Sequence, residues 1–383
     1  MESHIINLIK TDPNWQQKIT DLNIRMKSDG NLAIFNYGVG ADFTNPIVRE
    51  ARGIIIDTKH LLVVTWPFTK FCNVGELGAE IDLVDFDWDH CSVEEKIDGS
   101  IVKLSWIPFD EDGLFGRWFW STNSVIDAYS KEARAGTSGM TYGELIASAV
   151  NYRKIDHSKL KKDCTYIFEL VSPYTQVVVG YPTTKLYHIG TRNNRTGQEY
   201  KVNIGIEQPK VYDLHTLDDC MRYVEQLNKW KDTVEYEGFV VVDKNFHRIK
   251  IKSPEYLMAH RLWNNGNISK KEALRWLQDH DPVEIETSMV GLLARIKFYD
   301  YQLSELTYQI QKYIAYTRGL YEEFDHDRKA VANMIKNDKL ASFGFTAIGN
   351  DLDAPHILKN AAPTLILKLI PNYNEITVSS EKR

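Results

Sequence analysis

The chain has 383 residues, of which 43% are hydrophobic and 26% charged, with 46 Lys and Arg against 52 Asp and Glu and a net charge of −6. That apolar share excludes a disordered chain or a rod, and the length suits two or three domains. The acidic balance argues against an indiscriminate, histone-like binder of nucleic acid, though not against a protein with one local basic site.

In chain order, Ile5, Ile6 and Ile9 lie on one face of a short amphipathic helix, and the charges mixed among them argue against a signal peptide. Gly53–Asp57 and Leu61–Phe68 read as a hairpin around Thr58, Lys59 and His60. Strand character continues at Cys91–Glu95, Ile101–Ile107, Trp118–Ser121, Tyr166–Val171 and Lys185–Arg192, then in a hairpin of Gly238–Asp243 and Arg248–Lys252. Helices interrupt these strands: Thr141 with Glu144 forms a capping-box signature, and Thr216 opens a second helix. After Lys252 the texture changes. Ser269 with Glu272 makes another capping box. From Met289 through Leu306, Ile310 and Ile314, apolar residues recur every three, four or seven positions. That is one long helix, or two with a kink near Tyr299–Tyr301, and a further helix covers Arg328–Lys336. The fold class expected is α+β, mostly antiparallel sheets with helices over residues 1–253, followed by an all-helical domain over 254–383.

Cys72, Cys91, Cys164 and Cys220 are too scattered for a zinc site or a disulfide framework, which points to a reducing compartment. No uncharged apolar run reaches the ~18 residues of a membrane helix. A cytoplasmic chain without membrane contact is expected.

The sharpest local feature is Lys96-Ile97-Asp98-Gly99-Ser100, between two strands. Alone it describes a β-turn. Its companions change the reading: Glu169 inside the apolar strand Phe168–Val171, Glu237 at the head of Gly238–Val242, and Lys250 and Lys252 on one strand face. Arg52 enters a strand and Lys70 leaves one. Together they suit nucleotidyl transfer, in which a lysine amine attacks an α-phosphate. An ordinary lysine pKa of ~10.4 leaves few free amines at neutral pH. Neighbouring cations, Lys250 and Lys252 with a divalent ion, are therefore expected to depress Lys96. Glu169 and Glu237 are the candidate ligands for Mg²⁺ or Mn²⁺, and Gly99 is expected to let backbone approach the nucleotide.

Lys96–Ser100, Phe168-Glu169, Glu237–Val240 and Lys250–Lys252 resemble motifs I, III, IV and V of the covalent nucleotidyltransferases. Ile34–Tyr37, Arg52–Ile54, Lys70-Phe71 and Lys250–Ser253 with Tyr256 are similar to the bacteriophage RNA ligase 1 family, the T-even tRNA-repair type. The resemblance is strong to about residue 260. It implies an ATP-dependent RNA ligase in which Lys96 becomes adenylylated and then joins 5′-phosphate to 3′-hydroxyl RNA ends. Tyr37, Arg52, Lys70, Gly99, Glu169, Glu237, Lys250, Lys252 and Tyr256 would surround ATP. The implied substrate is tRNA with a broken anticodon loop, the helical tail would read tRNA shape, and a polynucleotide kinase/phosphatase is the implied companion. One departure stands out. Where the family has a Ser-Lys-Gly-Ser lysine, this chain has Ser121-Thr122-Asn123-Ser124, so that phosphate contact is expected either to be missing or to come from Arg117 or Lys103. Trp118 or Trp120 could stack a base.

A capping guanylyltransferase or a DNA ligase is the first rival. Helical rather than OB-fold spacing after Lys252 speaks against both. A non-catalytic RNA-binding protein is the second, and the presence of all five motif residues speaks against it.

Overall fold

Alternating apolar residues build three antiparallel sheets in the first two thirds of the chain. A computed structural model describes residues 2–76, 79–109, 115–229, 231, 233–264, 267–268, 270–279, 290–348, 350, 352–361 and 363–371. The chain divides into two compact units, Met1–Lys229 with Val234–Leu257, and Trp230–Thr233 with Met258–Arg383.

The strands of the first unit are β1 (Ile24–Asp29), β2 (Leu32–Tyr37), β3 (Arg52–Asp57), β4 (Leu62–Thr65), β5 (Cys91–Glu95), β6 (Ser100–Pro108), β7 (Gly116–Thr122), β8 (Cys164–Val171), β9 (Lys185–Asn193), β10 (Glu199–Tyr200), β11 (Val211–Tyr212), β12 (Gly238–Asp243) and β13 (Arg248–Lys252). One sheet takes β1 to β4 in order, a second runs β10-β9-β8-β6-β7, and a third runs β11-β5-β12-β13. The strand expected over Leu61–Phe68 is shorter, because its regular pairing with β3 covers only Leu62–Thr65.

The second sheet holds an extensive apolar cluster. Val102, Leu104, Trp120, Tyr166, Phe168 and Leu170 bury one face against Leu145 and Ile146. Those two lie on the helix Tyr142–Ala147, whose start is fixed by the Thr141–Glu144 capping box. Each such side chain contributes about 1.5–3 kcal/mol by leaving water. This burial corrects the base-stacking expectation for Trp120, whose ring packs against Phe168 and Tyr152. Trp118 stands edge-on to Trp106 and Tyr166.

The opposite face of that sheet meets the first sheet through buried hydroxyls. Thr65 bonds Ser105 at 3.0 Å, and Thr165 accepts from the N–H of Trp66, just beyond β4, at 2.8 Å. Such groups are buried at tolerable cost only when paired, and here they are. In the third sheet, Val93, Phe239, Val241, Ile249 and Ile251 pack against Cys220 and Val224 of the helix Leu217–Val224. Strand alternation therefore turns Val240, Lys250 and Lys252 to the other face.

In the second unit, the helix Val290–Glu323 is continuous through Tyr299–Tyr301, so the kinked alternative is set aside. Leu306, Ile310 and Ile314 are its buried stripe. Leu320 packs with Val331, Ile335 and Ile348. Ser269 and Met289 lie outside the described residues. The region is not wholly helical: Trp263–Asn264 pairs with Asn267–Ile268 as a short hairpin. No helix among the described residues is long and apolar enough to cross a membrane.

Candidate active site

The turn Lys96–Gly99 joins the third sheet to the second, and its conformation is clamped. Lys96 N–H donates to the Gly238 carbonyl at 2.8 Å. Asp98 is buried, with one carboxylate oxygen accepting from Val178 and Val179 N–H at 2.9 and 2.8 Å and the other from the Tyr256 hydroxyl at 2.8 Å. Gly99 is also required by the protein's own packing. A Cβ there would stand 2.4 Å from the Leu170 carbonyl oxygen, so close packing of protein backbone by itself demands glycine. Tyr256 accordingly acts through Asp98. It is 2% exposed and does not line the cavity described below.

The clamped turn aims Lys96 at two carboxylates. Its Nζ lies 2.7 Å from Glu237, and the other oxygen of Glu237 lies 2.8 Å from Lys252 Nζ. Burial alone would lower Lys96, but Glu237, Glu169 and Asp98 outweigh it and hold the ammonium above its ordinary value. This corrects the expectation of a depressed Lys96. Pairing places a carboxylate, not a cation, against the amine. The depressed amine is Lys250, brought down to about 7 by burial and by Lys70, Arg52 and Lys96. Glu169, on β8, is pushed up to about 7 by burial, against the pull of Lys96 and Arg52.

Arg52 owes its direction to a β-bulge. Phe35 pairs with Ile54 and Asn36 with Arg52, which leaves Gly53 as the extra residue at φ +85°. A bulged residue leaves its carbonyl out of the ladder. Here Lys103 Nζ supplies the donor at 2.7 Å. Lys103 is fully buried, and burial with the Arg52 charge drives it well below the ordinary lysine range. It therefore braces Arg52 from behind and does not line the cavity, contrary to the phosphate contact expected of it. Arg117 is exposed and lines a different cavity with Trp118 and Tyr129, so it is no substitute either. The Arg52 guanidinium sits over Phe71 at 5.3 Å, beside Tyr37 and Glu169.

A cavity of about 180 Å³ collects these groups: Lys96, Glu169, Arg52, Lys250 and Lys252 line it, with Phe71 and Val240 among its apolar walls. Lys70 stands beside it, paired to Glu76 at 3.0 Å and contributing charge to Lys250. Tyr37 flanks Arg52 outside it. Glu237 is reached through its two lysines. Sequence reasoning missed Arg248, which also lines the cavity and lies 4.0 Å over Phe68. The period-two rule that paired Lys250 with Lys252 would have included it. Cys72 is buried with its thiol pushed up by that burial, as an inert residue should be.

The donor set fits a divalent cation held partly by phosphate and water, not an all-protein cage. No cluster of three metal-ligating side chains occurs among the described residues. Glu169 faces the cavity and makes no hydrogen bond there, so its oxygens are available, while both Glu237 oxygens are engaged by lysines. Mg²⁺ commonly takes one or two carboxylates and keeps the rest of its shell as water and phosphate.

A family model described as RNA ligase matches residues 50–256, more than half of the chain and every cavity-lining residue just named. The chain belongs to this RNA ligase family. Among its relatives, a protein of Autographa californica nuclear polyhedrosis virus named "Putative bifunctional polynucleotide kinase/RNA ligase" is 29% identical over 63% of this chain and 35% of that one. A "Putative RNA ligase" of Thermovibrio ammonificans is 28% identical over 59% of this chain and 57% of its own length. An "RNA ligase" of Rhodothermus phage RM378 is 27% identical over 62% and 66%. The chain thus spans between a third and two thirds of these relatives.

Proposed function

We propose that this chain is an ATP-dependent RNA ligase that works through a lysyl-AMP on Lys96. The observation that carries the reading is the meeting, inside an RNA ligase family match, of Lys96 with Glu237 and Glu169 in a cavity walled by Arg52, Lys250 and Lys252. Lys96 first gives up to solvent water the proton that Glu237 holds on it. Its amine then attacks the α-phosphorus of ATP, forming an N–P bond as the P–O bond to pyrophosphate breaks. A 5′-phosphate oxygen of RNA next attacks that phosphorus, and the lysine leaves. Finally the RNA 3′-hydroxyl attacks the activated 5′-phosphate and AMP departs.

Arg52, Lys250 and Lys252 grip phosphate oxygens through these steps, with Lys70 adding charge from beside the cavity. A divalent cation, Mg²⁺ or Mn²⁺, held by Glu169 directly and by Glu237 through water would neutralise charge on the transferring phosphate and offset the two carboxylates around Lys96. Tyr37 steadies Arg52, and Tyr256 with Gly99 keeps the Lys96 turn in place.

The substrate assigned is tRNA broken in its anticodon loop, in the cytoplasm of an infected bacterium, with residues 254–383 reading tRNA shape beside an adenylyltransferase domain of residues 1–253. A kinase/phosphatase that heals the ends is the assigned companion. The baculovirus relative, whose name joins the two activities, supports that pairing. The test is to incubate the protein with labelled ATP or GTP and Mg²⁺ and map any adduct by mass spectrometry. AMP on Lys96, absent in Lys96→Ala, is expected. No adduct would sink the reading, and a GMP adduct would transfer it to capping.

A further inference from the structure

Arg52 lines a second cavity, of about 390 Å³, which shares no other residue with the one that holds Lys96. Its remaining walls include Arg25 and Lys27 of β1, Asn36 and Tyr37 of β2, and Asn123 just beyond β7. Register explains the arrangement. Arg25 pairs with Asn36 and Asn36 with Arg52, so three polar side chains stand in one row across three strands. Lys27, two residues from Arg25, projects to the same face.

No carboxylate lines this cavity, and neither Arg25 nor Lys27 has an ion pair within 4 Å among the described residues. Glu132 is the acid that feels the Lys27 charge, together with that of Lys131. Lysine on an edge strand is usually a guard against edge-to-edge pairing. That role needs no cavity and no neighbouring arginines.

We infer that this second cavity is a track for the phosphates of the RNA strand, leading past Arg52 to the adenylylated Lys96. The inference rests on the RNA ligase reading and adds residues to it. Arg25, Lys27 and Arg52 bring three positive charges to one cavity without a carboxylate, more than the single charge of one phosphodiester balances. A ligand carrying a series of phosphates is therefore required. The triphosphate of ATP also carries a series, but with its α-phosphate at Lys96 only its terminal phosphates are left to reach past Arg52, the residue common to both cavities. A chain of nucleotides has the length to occupy both.

The test is binding of a fluorescent, 5′-phosphorylated single-stranded RNA to the full chain, followed by anisotropy from 50 to 300 mM salt. Arg25→Ala with Lys27→Ala should raise Kd about tenfold and flatten the slope of log K against log salt by about 1.4, at ~0.7 per lost phosphate contact. Arg25→Lys with Lys27→Arg should keep both the affinity and the slope, which separates lost charge from a damaged strand. An unchanged Kd and slope in the alanine variant would overturn the track. So would a loss of ATP labelling as large as the loss of RNA affinity, since the cavity would then be a triphosphate site. A wild-type chain that binds RNA through Arg25 and Lys27 but never labels with ATP would overturn the ligase reading and keep the track. One that labels Lys96 but does not need Arg25 and Lys27 for RNA would do the reverse.

Discussion

Glu169→Gln should make the protein more stable at neutral pH, and by an amount that grows with pH. Glu169 is 8% exposed and makes no hydrogen bond among the described residues, so its ionised form is poorly solvated. Burial raises its folded pKa from 4.5 to about 7, even with Lys96 and Arg52 nearby. Below about pH 4.5 the folded and unfolded chains both hold the proton, and ionisation does not distinguish them. Between that pH and about 7 the unfolded chain has released the proton while the folded chain retains it. Folding stability then falls by about 1.4 kcal/mol per pH unit. Above pH 7 the loss levels off, near 3 kcal/mol for a shift of this size. Glutamine keeps the shape of the protonated acid and does not titrate. The advantage of Glu169→Gln over wild type should therefore rise from its pH 4.5 baseline to about 3 kcal/mol at pH 8. Urea denaturation of both proteins, at half-unit steps from pH 4.5 to 8 and without divalent ions, measures it. A difference that stays flat across this range would refute the buried, unpartnered carboxylate. The same variant should lose ATP labelling, a case of a functional site that costs stability.

Lys250 is charged below about pH 7 and neutral above it. The KM for ATP should rise toward tenfold per pH unit between pH 7 and 9 if that charge grips phosphate, and Lys250→Arg should flatten the profile. Tyr256→Phe removes a hydrogen bond to the buried Asp98 carboxylate and should cost about 1.5–3 kcal/mol of stability by chemical denaturation. Gly99→Ala brings a methyl against the Leu170 carbonyl, so the turn must move, and labelling of Lys96 should fall by at least an order of magnitude while the far-ultraviolet circular dichroism is kept. Lys103→Met leaves the bulged Gly53 carbonyl without its donor. It should raise the KM for ATP more than it lowers kcat, because the arginine it braces binds phosphate and Lys103 itself touches none.

The strands of the first unit were legible because each carries a period-two apolar face, as in Val93, Val241, Ile249 and Ile251. The long helix was legible from Leu306, Ile310 and Ile314. Its continuity was not, since apolar spacing alone does not distinguish a straight helix from two. Among site residues, Lys96, Glu169, Lys250 and Lys252 were found because charged side chains inside or beside apolar strands are conspicuous. Asp98 was hidden by its turn, where aspartate is ordinary. The Lys103 amine was hidden because nothing local announces that a bulge 50 positions earlier in the chain lacks a donor.

What the sequence determined by itself was the inventory and the local geometry. Period-two alternation sets which residues share a strand face, and that rule already placed Lys250 and Lys252 together. Only the tertiary structure decided which opposite charges meet. Lys96 and Glu237 are 141 positions apart in the chain yet 2.7 Å apart in space. That contact turned the expected depressed amine into a held ammonium. A pKa depends on burial and on every charge within a few ångströms, and neither can be read along the chain.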